Sequence, residues 1–195
     1  MNEVERATPA DRAALVDVLA TALAPEPIVW WPLRDGADVE TFRSLFDLLA
    51  EVYLPIGALW LTDDRAGVSA WLEPRDADRF LEIEAPTRER VRPLTDDGGM
   101  RYDAFWDWLG AHVPDEPCYF LDMVAVRPDA QGRGLGRRLV DHGLARAFAD
   151  GVPAFLETGS PGNVPMYEHL GFRVVDTADA PGGGPTVWFM RADPR

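Results

Sequence analysis

The chain has 195 residues, long enough for one well-cored domain and too short for two of ordinary size. Its 33 acidic residues outnumber 19 basic ones, and the net charge of −14 disfavours nucleic acid as a partner, because phosphate contacts need a basic patch. Every basic residue is arginine and Cys118 is the single cysteine, which excludes Schiff-base lysines, intramolecular disulfides and cysteine metal clusters.

In chain order, Glu3 to Ala7 reads as a short edge strand. Thr8 and Pro9 supply an N-cap and a first-turn proline for a helix to about Leu23, with Leu15, Val18, Leu19 and Ala22 on one stripe. Pro25, Pro27 and Pro32 break the chain around Trp30 and Trp31, which predicts a loop there. A second helix runs from Asp38 to about Tyr53. Leu59 to Thr62 and Val68 to Leu72 form a hairpin across Asp63, Asp64 and Gly67.

From Glu73 to Pro117 the composition turns to charges, prolines and the aromatic cluster Tyr102, Phe105, Trp106 and Trp108. This predicts an insertion of one or two helices, long enough to cover a ligand site. Tyr119 to Val126 is a strand ended by Arg127-Pro128-Asp129. A helix from Gly134 to Phe148 follows, with Leu135, Leu139, Val140, Leu144 and Ala147 on one face. Pro153 to Thr158 is a strand, Asn163 to Leu170 a short helix stopped by Gly171, and strands near Phe172 to Asp176 and Thr186 to Arg191 close the domain. The pattern predicts an α/β fold: a mixed, twisted sheet with helices on both faces, partly antiparallel because of the hairpin. No segment approaches about eighteen uninterrupted apolar residues, and the acidic N-terminus lacks the features of a signal peptide. The expectation is a cytoplasmic protein with no membrane partner.

Gln131-Gly132-Arg133-Gly134-Leu135-Gly136 lies between that strand and its helix. Its glycines leave successive backbone N–H groups free to converge on an anion where a helix begins, near roughly half a positive charge of macrodipole. A Walker-type loop fails, because Arg137 and Arg138 follow instead of Lys-Ser or Lys-Thr. A dinucleotide fingerprint is weak, because counting from Gly132 puts Arg137 where the last glycine belongs.

Val126-x-Pro128 followed by Gln131-x-x-Gly134-x-Gly136 and a helix resembles the acetyl-CoA signature of the GNAT acyltransferase superfamily. Asn163-x-x-x-Tyr167-Glu168-x-x-Gly171-Phe172 is similar to that superfamily's final helix. A narrower resemblance, to the puromycin N-acetyltransferase type, is strongest from Pro117 to Phe172 and fades in the Trp30-Trp31 loop and the Asp76 to His112 insertion, where the acceptor pocket is expected. The resemblance implies one GNAT-like domain over residues 1–195, a largely antiparallel sheet, and a helical insertion (about 73–117) before the cofactor strand.

It further implies that acetyl-CoA is the cosubstrate and that its pantetheine arm runs along the backbone of Val124 and Val126, whose side chains are core. The amides of Gln131, Gly132, Arg133, Gly134, Leu135 and Gly136, with the Arg133 side chain, take the pyrophosphate, while Arg137 and Arg138 can equally be solvated helix residues. Tyr167 is placed to protonate the leaving thiolate; a phenol with a pKa of about 10 holds its proton at neutral pH. Asn163 is either an N-cap or a pantetheine contact, and capping does not exclude contact. The base is open between Glu157, at the end of its strand, and Asp122, on the cofactor strand where the puromycin type carries alanine; either can instead bind the amine or form a structural pair.

An α-amino group with a pKa of about 8 is easier to deprotonate than a lysine-like amine at about 10.4. Trp30, Trp31, Trp106 and Trp108 are candidates to stack on an aromatic acceptor. His112, His142 and His169 show no metal or triad spacing, so no metal is expected, and Cys118 reads as a small core residue. The expected function is acetyl transfer to a small-molecule primary amine, a metabolite or antibiotic, by direct attack. N-terminal acetylation of proteins and a non-catalytic acyl-CoA-binding module are the alternatives; monomer and homodimer are both open.

Overall fold

The structure is a computed structural model that describes residues 4–194, so Glu3 of the first predicted strand lies outside the described residues. Seven strands, β1 (Val4–Arg6), β2 (Leu59–Thr62), β3 (Gly67–Leu72), β4 (Tyr119–Val126), β5 (Ala154–Thr158), β6 (Arg173–Asp179) and β7 (Thr186–Ala192), form one sheet in the order β1-β2-β3-β4-β5-β7-β6. Every neighbouring pair is antiparallel except β4 with β5. This is the mixed, largely antiparallel sheet the sequence predicts.

Helices cover both faces. On one side lie α1 (Arg12–Leu23), α3 (Val39–Ile56), α4 (Ala77–Val91) and α5 (Met100–Gly110), whose Leu15, Leu19, Phe46 and Tyr102 pack with Leu61, Val68, Met123 and Ala125. On the other lie α6 (Leu135–Ala149) and α7 (Val164–His169), whose Val140, Leu144 and Tyr167 pack with Trp71, Leu121 and Met190. Gly143 lets α6 approach the sheet closely. A Cβ there would lie 2.0 Å from Cε2 of Trp71, whose indole N–H donates to the Leu139 carbonyl at 3.3 Å.

Two local expectations change. Thr8 and Pro9 start a 3-10 turn (Pro9–Asp11) ahead of α1, held by a capping box in which Asp11 accepts from the Thr8 N–H and hydroxyl. Trp30 belongs to a one-turn helix, α2 (Pro27–Trp30), because Pro27 at the first helical position favours a turn where the sequence predicts a loop. The insertion consists of the helices α4 and α5, joined through Asp97-Gly98-Gly99. Among the described residues no helix is long and apolar enough to cross a membrane.

Candidate active site

The strands β4 and β5 pair from Tyr119–Ala154 to Leu121–Leu156 and then part. One extra residue causes the divergence. On the β3 side Trp71 pairs with Leu121 and Ala70 with Met123, which leaves Asp122 without a partner as a β-bulge. Side-chain direction changes phase with it: Tyr119 and Leu121 pack against α6, whereas Met123 and Ala125 pack against α1 and α3. The residues next beyond the last paired rung are therefore Asp122 on one strand and Glu157 on the other. Two cavities open at this fork.

The first, of about 460 Å³, is lined by the end of α1, β4, the glycine loop, α6 and α7. Val124 and Val126 are half-buried in its wall rather than core residues. The Arg127 N–H donates to the Ala66 carbonyl at 2.8 Å, so it faces β3. Alternation along the strand turns the N–H groups of Val126 and Val124 the other way, into the open fork. At the far end Gly132 (φ 76°) and Gly134 (φ 77°) are left-handed, a conformation that favours glycine. The N–H groups from Gly132 to Arg137 find no backbone acceptor among the described residues, as at any free helix start. Gln131 is held by its side-chain amide donating to the Val126 carbonyl at 3.2 Å. A diphosphate linked to an extended arm fits this combination: a cradle of free N–H groups at one end and an unpaired strand edge along its length.

Tyr167 closes the cleft. It is 6% exposed and packs edge-on against Phe172 at 5.9 Å. Burial raises its pKa above the usual phenol range, and the charges of Glu26 and Glu157 add to the rise, so the hydroxyl keeps its proton.

The second cavity, about 530 Å³, is walled by α3, α4, α5 and the segment leading into β4, with Asp122 and Glu157 in its lining. The Tyr53 hydroxyl donates to Asp122 Oδ2 at 2.7 Å. Burial, aided by the charge of Glu84, pushes the Asp122 pKa up to about 6 against the opposing effect of that hydrogen bond. Burial and then the neighbouring Asp122 raise Glu157 well above the ordinary range. The two carboxyls act on each other, so they titrate as a pair.

Several sequence expectations move. The Arg133 guanidinium pairs with Asp64 at 3.0 Å and does not line the first cavity; Arg137 does, with its exposed guanidinium paired to Asp141 at 3.2 Å. Asn163 occupies the N-cap position of α7 but makes no capping bond. Its backbone is already helical (φ −81°, ψ −25°), and its amide instead reaches Glu26 Oε1 and Thr158 Oγ1, both at 3.4 Å. Of the four tryptophans, Trp106 lines the second cavity. Trp31 packs on Phe105 and Trp108 on Phe189, at 5.9 and 5.7 Å, and Trp30 is 46% exposed.

His112 stacks on Phe189 and His142 lies against Trp60. Cys118 lines the second cavity with its thiol pKa raised by burial. Among the described residues no cluster of metal-ligand side chains is present.

Sequence reasoning missed Tyr53, Glu84 and Glu26. Glu26 lines the first cavity and accepts from the Ser160 hydroxyl at 2.6 Å, 134 residues away. Tyr53 gave only a helical-stripe signal, and neither glutamate gave any.

The model of the Acetyltransferase (GNAT) family matches residues 65–172. An uncharacterized N-acetyltransferase of Schizosaccharomyces pombe is 27% identical over 138 residues, 66% of this chain and 56% of that protein. Mycothiol acetyltransferase of Corynebacterium aurimucosum is 28% identical over 155 residues, 77% of this chain and 41% of that protein. The chain thus spans about half the length of these relatives. A crystal structure of "histone acetyltransferase HPA2 and related acetyltransferase" from Corynebacterium glutamicum superposes with a TM-score of 0.72 at 25% identity, over 100% of this chain and 98% of that one. With more than half of its length matched, and with a glycine cradle and a forked sheet in the same region, the chain belongs to the GNAT family of acetyltransferases.

Proposed function

We propose that this protein is an acetyl-CoA-dependent N-acetyltransferase that acts on a small-molecule primary amine by direct attack, without an acyl-enzyme. The observation that carries the reading is the fork. A cleft with free N–H groups and a protonated Tyr167 opens on one part of it, and a cavity with a half-buried carboxyl pair on another.

Acetyl-CoA supplies an activated acetyl group on a thiol leaving group. Gly132 to Gly136, the backbone of Val124 and Val126, and Asn163 would hold it, with Arg137 supporting the anionic end. The Arg133 side chain can join them by exchanging Asp64 for a phosphate. Tyr167 holds the proton a general acid needs. The Asp122–Glu157 pair places two interacting carboxyls in the second cavity, and a carboxylate of this pair would receive the amine's proton. Direct attack is favoured over an acyl-enzyme because there is no lysine, and because the single thiol is held protonated by burial and by Glu116.

The test is CoA thiol release from acetyl-CoA with puromycin, simple amines, an aminosugar and N-terminal peptides. Tyr167→Phe is expected to lower kcat by at least about tenfold with little change in acetyl-CoA affinity. Tight acetyl-CoA binding with no release from any amine identifies a binding module instead.

A further inference from the structure

The second cavity specifies more than the presence of an amine. At its inner end are Asp122 and Glu157, with Glu84 close enough to raise the Asp122 pKa. Arg88 is the one arginine in the described lining, and it is already engaged: its Nε donates to Glu84 at 2.7 Å and its Nη1 to Asp107 at 2.6 Å. The inner end therefore carries negative charge with no free cation beside it, which favours an ammonium and rejects an anion.

Most of the remaining wall is apolar, built from Leu49, Leu72, Phe80, Trp106, Leu109 and Phe120, while Glu73 in the lining is paired with Arg75 and Arg146. Of the two tyrosine hydroxyls in the lining, that of Tyr53 is committed to Asp122. Hydroxyls of a sugar entering here would leave water with few partners, whereas an aromatic ring gains from the same surface. Asp115 and Glu116 stand in the segment before β4, so the approach to the cavity also disfavours anions.

We infer that the acceptor is a primary amine borne on an apolar, aromatic body that carries no anionic group. This rests on the acetyl-transfer reading for the reaction but not for the binding. An α-amino acid fails by its carboxylate, and an aminosugar by its hydroxyls.

The experiment uses 2-phenylethylamine, phenylalanine and glucosamine, the first two differing only in the carboxylate. With acetyl-CoA, kcat/KM for 2-phenylethylamine is expected to exceed that for either of the others by on the order of 100-fold, as befits an unpaired buried charge or unmet polar groups. Calorimetry with CoA bound separates the two readings. If no amine releases thiol but 2-phenylethylamine binds preferentially, the acceptor class stands and acetyl transfer fails. Equal or reversed ranking, or no binding by any of the three, overturns the acceptor class. Leu81 lines the cavity and is 59% exposed, so Leu81→Arg leaves the fold intact while adding a cation. It is expected to reduce the discrimination against phenylalanine about tenfold, the scale of one added charge pairing near the protein surface; an unchanged ratio removes this cavity as its source.

Discussion

Replacing Asp122 with asparagine should stabilise the folded protein by an amount that grows with pH. Burial and the charge of Glu84 raise this carboxyl from its ordinary 3.8 to about 6. An acid with a raised folded pKa binds its proton more tightly folded than unfolded. The cost of ionising it in the fold is thus absent below the unfolded pKa, grows between the two values and is complete above about 6. That gap corresponds to about 3 kcal/mol at pH 8 and about half as much at pH 5. Asparagine is nearly isosteric, accepts the Tyr53 hydrogen bond through Oδ1 and never ionises, so it removes the cost. For a chain of this size the gain corresponds to a rise in Tm of about 6–12 °C at pH 8 and about half that at pH 5. Urea unfolding of both proteins at the two pH values measures the difference, provided the m-value is unchanged. An equal gain at both, or a loss at pH 8, refutes the reasoning. Acetyl transfer should fall in the same variant, so stability and activity move in opposite directions.

Tyr53→Phe removes the hydrogen bond that lowers the Asp122 pKa, so the acid limb of a kcat/KM profile should move to higher pH; a stationary limb separates Tyr53 from proton transfer. Gly134→Asp has room, since nothing lies within 4 Å of the added Cβ, but it puts a left-handed aspartate and a negative charge at the cradle. Its CoA affinity should drop at least about tenfold by calorimetry, with the circular dichroism spectrum retained. Gly143→Ala drives a methyl group into Trp71, and thermal unfolding should show a loss of about 1–3 kcal/mol.

Much of this was legible because the signals are local. The hairpin, the strand from Tyr119, the glycine loop and the stop at Gly171 each rest on residues within a few positions of one another, and each lies where the sequence placed it. The carboxyl pair was legible only as two separate candidates. What joins Asp122 to Glu157 is a strand fork between segments distant in sequence, and what raises their pKa values is burial by helices of the insertion. The anchoring hydroxyl of Tyr53 lies 69 residues from Asp122, and an amphipathic helix gives no sign that one of its apolar-face residues ends in a hydrogen bond to a distant carboxylate. The ion pair of Arg133 was illegible for a similar reason. Its neighbours in sequence point to an anion, and its partner in space, Asp64, belongs to the hairpin turn.

The bulge at Asp122 gives the opening of the sheet an unusual origin: it depends on how many residues β4 contains, more than on which ones. Excising that residue would let Leu121 and Met123 follow one another in regular alternation, with every remaining side chain on the face it now occupies. The strand would lose its bend, and β5 would be free to continue zipping along it past Leu156. Substitutions at position 122 can alter proton affinity and acceptor preference while the gap persists. A single deletion would close the gap, so within such a scaffold this spacing is expected to tolerate exchange of residues far better than loss of one.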